Sequence, residues 1–175
     1  IYLIILITFL YFIFSNFDIS RIDDFSYYKT IRINIIELIG KNLVLNLILF
    51  FVFSVIWVVL LGFGSPLLIL SGILFGKWIG TSISIISISI GALCLYIIAN
   101  YFFTDLVNQL LKKKFQKYIE RFQKNEFYYF LAFRFAGGLG IPFFLQNVLP
   151  VIFKMKNYNY FFASFFGFVP GFFIW

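Results

Sequence analysis

The chain has 175 residues, of which 62% are hydrophobic and only 12% are charged, whereas a soluble domain carries roughly 25% charged residues. It has 14 Lys and Arg against 7 Asp and Glu, for a net charge of +7. This composition excludes a water-soluble fold. It predicts an all-α polytopic membrane protein, because a helix of about 20 apolar residues crosses the hydrocarbon core of a bilayer.

The absence of histidine excludes His-ligated zinc and Ser-His or Cys-His nucleophiles. The single cysteine, Cys94, cannot form an internal disulfide, and the charge-free runs contain no pair of aspartates. We therefore expect neither an enzyme nor a bound metal or cofactor. The basic residues alternate with membrane segments, which favours anionic membrane lipids over nucleic acid as partners.

Residues 1–17 carry no charge and lack a basic leader, so they predict an N-terminal membrane span rather than a signal peptide. The polar stretch 18–41 follows, with four positive and four negative charges that cancel. The chain starts at Ile1 and ends at Trp175 inside apolar runs, so we expect residues to be missing at both termini.

Residues 43–103 form the first predicted unit. The charge-free run 42–76 is too long for one helix and short for two helices with a loop, and its middle reads Gly62-Phe63-Gly64-Ser65-Pro66. We interpret this run as a re-entrant hairpin that turns at the glycines. The run 78–103 is long enough to span the bilayer. One face of it carries small residues at helical spacing, which predicts close packing of another helix: Gly80, Ser84, Ser87 and Gly91.

The stretch 105–126 holds six basic and three acidic residues, so the positive-inside rule places it in the cytoplasm and the protein in the cell membrane. We expect a helix with Asp105 at its N-terminus. Its apolar face recurs at steps of three and four: Val107, Leu111, Phe115, Tyr118 and Phe122. Two interpretations stay open, an amphipathic helix lying on anionic lipid or a linker helix packed on the protein.

Residues 127–175 form the second unit, with the glycine break Gly137-Gly138-Leu139-Gly140-Ile141-Pro142. Lys124 precedes the segment 127–153 and Lys154 follows it, which suggests that both ends face the cytoplasm and predicts a second re-entrant hairpin. Gly62, Gly64 and Pro66 recur 76 positions later as Gly138, Gly140 and Pro142. Opposite orientation of the two units would give one membrane domain built on an inverted repeat, as in many transporters.

Arg134 is the candidate for ligand binding, because a guanidinium at membrane depth costs at least ~2.5 kcal/mol and needs a partner. No acid lies in its segment, so the partner could be a phosphate headgroup. Alternatively, Arg134 binds the terminal carbonyls of its own helix or extends to the interface. The adjacent amides of Gln146 and Asn147 also need partners, and they either line the same site or cap the broken backbone of the opposite hairpin. The predicted substrate site comprises Arg134, Asn147 and the six break residues: Gly62, Gly64, Pro66, Gly138, Gly140 and Pro142.

The order of these motifs resembles the DedA/VTT superfamily, also called the SNARE-associated Golgi protein family, and its bacterial Tvp-like branch in particular. The resemblance runs over residues 62–171 through Leu74-Phe75-Gly76, Gly91-Ala92, Arg134, Ile141-Pro142-Phe143-Phe144, Asn147 and Gly167-Phe168-Val169-Pro170-Gly171. It implies two inverted re-entrant hairpins and a role in moving lipids between leaflets. The chain departs from the family pattern at Asn100, where many members have a basic residue, and at Val151, where a glycine is common.

Three functions follow as hypotheses. The first is a translocator of phosphate-headgroup lipids between leaflets, acting as a scramblase or flippase. The second is a transporter of a small anionic solute, and the third is a membrane scaffold that transports nothing. The sequence leaves open which lipid is carried, whether a proton gradient drives it, and whether the protein is a homo-oligomer.

Overall fold

The computed structural model describes residues 42–110 and 113–174, together with Ile7, Thr8, Tyr11 and Glu37. For residues 104–110 and 113–116 it describes the backbone alone. The predicted span 1–17 and the polar stretch 18–41 therefore lie almost wholly outside the described residues. The chain divides into two compact units, residues 1–50 and 51–175. Every regular element within 42–110 and 113–174 is a helix, which confirms the all-α prediction.

Helix α1, Leu43–Leu61, is free of charged residues and about 29 Å long at 1.5 Å per residue. It is one of two described helices long and apolar enough to cross a membrane. The chain leaves the helix at Gly62, which has φ 69° and so adopts a conformation that favours glycine. The predicted break is present, but the arm before it has the length of a full span rather than of a half-helix, because nothing interrupts the helix before Gly62.

Helix α2, Ser65–Leu110, contains a sharp turn at Gly76 (φ 76°, ψ 173°). Ser84 Oγ donates a hydrogen bond to Ser71 Oγ at 2.7 Å, although these residues are 13 positions apart and would lie about 20 Å apart in a straight helix. A Cβ at Gly80 would overlap the Ser71 carbonyl. The arms 65–75 and 77–110 are therefore antiparallel and packed together. The second arm contains the predicted span 78–103.

The small-residue face of α2 is buried at all four predicted positions, Gly80, Ser84, Ser87 and Gly91. Gly91 lies against α1, where a Cβ would come within 2.7 Å of Val58 Cβ. Ser87 Oγ donates to the Ser84 carbonyl at 3.3 Å. The prediction that this face packs closely is confirmed, and its serines serve that packing.

Helix α3, Lys113–Lys124, carries five of the six basic residues of the predicted cytoplasmic stretch. Its Phe122 stacks on Phe153, with ring centroids 4.4 Å apart, while Tyr118 is exposed. Of the two members of the predicted apolar face whose side chains are described, one packs on the protein and one faces outward. The other three, Val107, Leu111 and Phe115, lie outside the residues whose side chains are described. The prediction that Asp105 begins a helix is wrong, because α2 continues through Leu110.

Four further segments complete the fold: α4 Glu126–Phe135, a 3₁₀ turn Gly137–Gly140, α5 Phe143–Val148 with its 3₁₀ extension Leu149–Phe153, and α6 Asn157–Ile174. Helix α6 packs against both α4 and α2. The Glu126 carboxylate accepts hydrogen bonds from the Lys156 backbone N–H at 3.3 Å and from Asn159 Nδ2 at 2.6 Å. These bonds hold the two ends of the segment 126–156 side by side, so this segment is a closed hairpin.

Candidate functional site

Arg134 lies one residue before the end of α4 and is only 3% exposed. Its Nη1 donates to Gln146 Oε1 at 3.0 Å, and its Nη2 donates to Asn147 Oδ1 at 2.5 Å and to Tyr160 Oη at 3.1 Å. Its hydrogen-bond partners thus lie on α5 and α6. The guanidinium neither caps its own helix nor extends to the interface, so both structural alternatives considered for it are wrong.

Four aromatic rings surround the Arg134 guanidinium. The distances from its Cζ to the ring centroids are 4.8 Å for Phe130, 4.9 Å for Phe168, 5.4 Å for Phe143 and 5.8 Å for Tyr160. Each such contact is attractive, by about 0.5–2 kcal/mol depending on desolvation. The rings therefore help to stabilise a buried cation, but they do not neutralise its charge.

No acidic side chain among the described residues is hydrogen-bonded or ion-paired to Arg134. Glu126 lies on the same helix, but its carboxylate is bound to the start of α6. Two buried donors at the site have no hydrogen-bond partner, Arg134 Nε and Asn147 Nδ2. The site therefore combines one uncompensated positive charge with free donor capacity, a combination that suits an anion.

The apex loop, residues 137–141, turns the hairpin beside Arg134. Gly137, Gly138, Leu139 and Gly140 all have positive φ, between 54° and 75°. Gln146 Nε2 donates to the Ile141 carbonyl at 2.7 Å and to the Gly137 carbonyl at 3.4 Å. A Cβ at Gly138 would overlap the Gln146 amide in its present position, and the φ of 68° at this residue also favours glycine. The amide that closes the broken backbone thus comes from the same hairpin rather than from the opposite one.

The first helix break lies against the start of α5. A Cβ at Gly62 would come within 2.9 Å of Phe144 Cβ, and one at Gly64 within 3.8 Å of Phe143 Cζ. Phe143 is also one of the rings over Arg134. The structure therefore brings the two breaks together, with Phe143 as the side chain that separates the first break from the cation.

Two contacts between helices in the second half of the chain have counterparts between residues 76 positions earlier. Gly167 packs against Arg134 as Gly91 packs against Val58. In the second half of the chain, Tyr160 Oη donates a hydrogen bond to Asn147 Oδ1 at 3.0 Å. The residues 76 positions earlier make the corresponding bond in the first half, where Ser84 Oγ donates to Ser71 Oγ. The similarity between the two halves therefore extends from glycines in the sequence to contacts between helices.

The VTT domain family model matches residues 61–175, a range that contains both helix breaks, Arg134 and the recurring contacts on α2 and α6. The chain belongs to the VTT-domain family, the DedA/SNARE-associated Golgi superfamily. The resemblance seen in the sequence is confirmed. VTT-domain proteins are membrane proteins of a transporter-like kind, and the two long apolar helices agree with this. No solved structure matches the chain.

In this VTT domain, the residues predicted for the substrate site lie in different surroundings. Arg134 and Asn147 are hydrogen-bonded to one another, and Gly138 lies directly beside them against Gln146. Gly62 and Gly64 are buried at the first break, and Gly64 lies near Phe143, one of the rings over Arg134. Three predicted residues are exposed and have no described contact with Arg134: Pro66, Gly140 and Pro142.

Tyr160 and the aromatic rings were not predicted to belong to the site, and Gln146 was predicted only as an amide that lines the site or caps the opposite hairpin. Tyr160 is fully buried and stacks on Tyr96 of α2, with ring centroids 4.5 Å apart, and Tyr96 Oη donates to the Met155 carbonyl at 2.6 Å. The 76-residue offset from Ser84 is the signal that could have identified Tyr160. No group of three potential metal-binding side chains is present among the described residues.

Proposed function

We propose that this VTT-domain protein moves phosphate-headgroup lipids between the two leaflets of the cell membrane, with Arg134 as the headgroup site. The observation that carries the proposal is a fully buried guanidinium that has no carboxylate partner among the described residues and lies beside two unpartnered donors. A buried cation without a counter-charge is costly in a membrane. A phosphate oxygen would supply that charge and accept from Arg134 Nε and Asn147 Nδ2.

In the proposed topology, the arm 77–103 and α6 cross the bilayer, and the hairpin 126–156 enters and leaves on the cytoplasmic side. The bonds from Glu126 to Lys156 and Asn159 support this, because they keep both hairpin ends at one level. The last three turns of α1 and the arm 65–75 form the opposite hairpin, so that the break at Gly62 lies inside the bilayer. The arms 65–75 and 143–153 would each rise about 17 Å, roughly half the hydrocarbon thickness. The two breaks would then meet near the midplane.

The recurring contacts at an offset of 76 positions support an inverted repeat, in which residues 50–98 correspond to 126–174. Secondary transporters with this symmetry carry their sites at the midplane between broken helices. A phosphate headgroup would pass along the seam between the repeats while its acyl chains stay in lipid. Basic helix α3 would lie on the cytoplasmic surface, where anionic lipids attract it.

Arg134 is almost completely buried, so we interpret this conformation as a closed state. Transport would require the apex loop to move and expose the cation alternately to the two leaflets. The guanidinium would then exchange its hydrogen bonds to amide oxygens for hydrogen bonds to phosphate oxygens, so that none is lost. This exchange limits the energetic cost of opening the site.

The test is lipid translocation by the purified protein in proteoliposomes, measured by dithionite quenching of fluorescent phosphatidylglycerol. We expect the protein to accelerate translocation over protein-free vesicles, and Arg134→Gln to lower the rate at least ten-fold. Arg121→Gln is the matched control, because Arg121 is exposed on α3, and it should retain the wild-type rate. Gel filtration checks that each variant is folded.

Wild-type vesicles that translocate lipid no faster than empty vesicles would contradict the proposal. Uptake of inorganic phosphate by such vesicles would instead favour a transporter of small anions. If the vesicles show neither activity and a partner protein remains bound to the protein through purification, a membrane scaffold would be favoured.

A further inference from the structure

Gln146 joins the buried cation to the apex loop through a single side chain. Its Oε1 accepts from Arg134 Nη1 at 3.0 Å, and its Nε2 donates to the Ile141 carbonyl at 2.7 Å. Its amide also packs so closely against Gly138 that a Cβ there would displace it. The position of this amide therefore depends on the cation at one end and on the apex backbone at the other.

The backbone bonds of the apex loop belong to a single 3₁₀ turn, Gly137–Gly140. Within it, the Leu139 N–H donates to the Ala136 carbonyl at 3.2 Å and the Ile141 N–H to the Gly138 carbonyl at 3.0 Å. Leu139 has φ 54°, which is unfavourable for a residue with a side chain, and it is 73% exposed. The bonds from Gln146 Nε2 are the side-chain bonds that tie this exposed turn to α5.

An anion at Arg134 would compete with Gln146 for the guanidinium. The Gln146 amide oxygen is a neutral acceptor, whereas hydrogen bonds to a charged oxygen are roughly twice as strong. No carboxylate among the described residues already compensates the guanidinium. A phosphate group has several oxygens, so beyond the unpartnered Arg134 Nε it should also take Nη1, and the released amide should withdraw Nε2 from the Ile141 carbonyl.

Resting on the proposed function, we infer that Gln146 is a positioning residue through which an anion at Arg134 releases the apex loop. While the amide oxygens accept hydrogen bonds from Arg134, the apex loop stays in place and the site stays closed. When a headgroup phosphate binds Arg134 instead, the apex loop is released. The same bond thus links ligand charge to the opening of the second hairpin.

Two variants separate this role from simple packing. Gln146→Glu and Gln146→Met have similar volumes, and both remove the Nε2 donor to the apex loop. They differ in that Glu places a carboxylate beside Arg134, whereas Met leaves the guanidinium free for a ligand. We expect the Glu variant to translocate phosphatidylglycerol at least ten-fold more slowly than the Met variant. Equal rates in the two variants would overturn the inference.

A second measurement follows the apex loop directly. A nitroxide label at Leu139→Cys, in a Cys94→Ser background, reports loop mobility by electron paramagnetic resonance. In bilayers of a phosphate-free galactolipid the label should be restrained, and added phosphatidylglycerol should make it more mobile. In Gln146→Glu, added phosphatidylglycerol should change nothing. A wild-type spectrum insensitive to phosphatidylglycerol would overturn the inference even if the variants did not fold.

The two measurements distinguish the inference from the proposed function. A label that responds to phosphatidylglycerol in a protein that moves no lipid would support the role of Gln146 and contradict translocation. Lipid translocation with an unresponsive label would leave the proposed function intact and remove Gln146 from it.

Discussion

Gly167 of α6 lies directly against the Cβ of Arg134, so that any side chain at position 167 would overlap the arginine. Because Gly167 lets α6 approach α4 this closely, Tyr160, on the same helix, can reach the guanidinium. The charged site therefore depends on a residue that has no polar side chain of its own.

Replacement of Gly167 by Ala should destabilise the protein by about 1–3 kcal/mol, since the added methyl group must displace Arg134 or separate the helices. Thermal unfolding in detergent, followed by tryptophan fluorescence, measures the effect as a lower Tm. Gly171→Ala is the matched control on the same helix, because a Cβ at position 171 would meet no atom within 4 Å. A Gly167→Ala variant as stable as Gly171→Ala would contradict the close approach.

Tyr160→Phe should cost about 1–3 kcal/mol, because it removes the hydroxyl that accepts from Arg134 and donates to Asn147. The ring should keep its stacking on Tyr96. Denaturation in detergent gives the difference from wild type. The control is Tyr158→Phe, whose side chain is 58% exposed, and it should be neutral. Equal stability of the two variants would show that the Tyr160 hydroxyl does not hold the site.

The sequence predicted the helix breaks at Gly62 and Gly138 because adjacent glycines and prolines interrupt a helix whatever surrounds them. The end of the predicted hairpin at residue 76 and the start of the predicted span at residue 78 imply a turn between them, and the structure has it at Gly76. The sequence did not predict the contact between Ser71 and Gly80 that accompanies this turn. That contact is tertiary, so local patterns do not reveal it.

The sequence also identified Arg134 as a buried cation that needs partners, from the free-energy cost of its position alone. It could not identify Gln146 and Tyr160 as those partners. They lie 12 and 26 residues further along the chain, on two other helices. Which side chains reach a buried group depends on how helices are rotated against each other, and apolar segments without a marked polar face do not specify that rotation.

The hydrogen bond between Ser71 and Ser84 should couple the two arms of α2. A double-mutant cycle with Ser71→Ala and Ser84→Ala should give a coupling free energy of about 0.5–1 kcal/mol, the size usual for such bonds between membrane helices. Ser82 is exposed on the same arm, so Ser82→Ala paired with Ser71→Ala should show no coupling. Additive effects of Ser71→Ala and Ser84→Ala would contradict the folded-back arrangement.

Accessibility labelling tests the hairpin 126–156 against the membrane. Single cysteines at the exposed positions Lys124 and Lys154, in a Cys94→Ser background, should both react with an impermeant maleimide from the cytoplasmic side. This follows because the bonds from Glu126 hold the hairpin ends together.

A cysteine at Ile174 is the contrasting position, since α6 is about 27 Å long and Ile174 is 83% exposed at its far end. It should react from the opposite side, with right-side-out and inverted vesicles giving reciprocal patterns. If Lys124 and Lys154 reacted from opposite sides, the segment between them would cross the membrane. The inverted repeat would then be excluded, because its two hairpins could not enter from opposite leaflets and meet at Arg134.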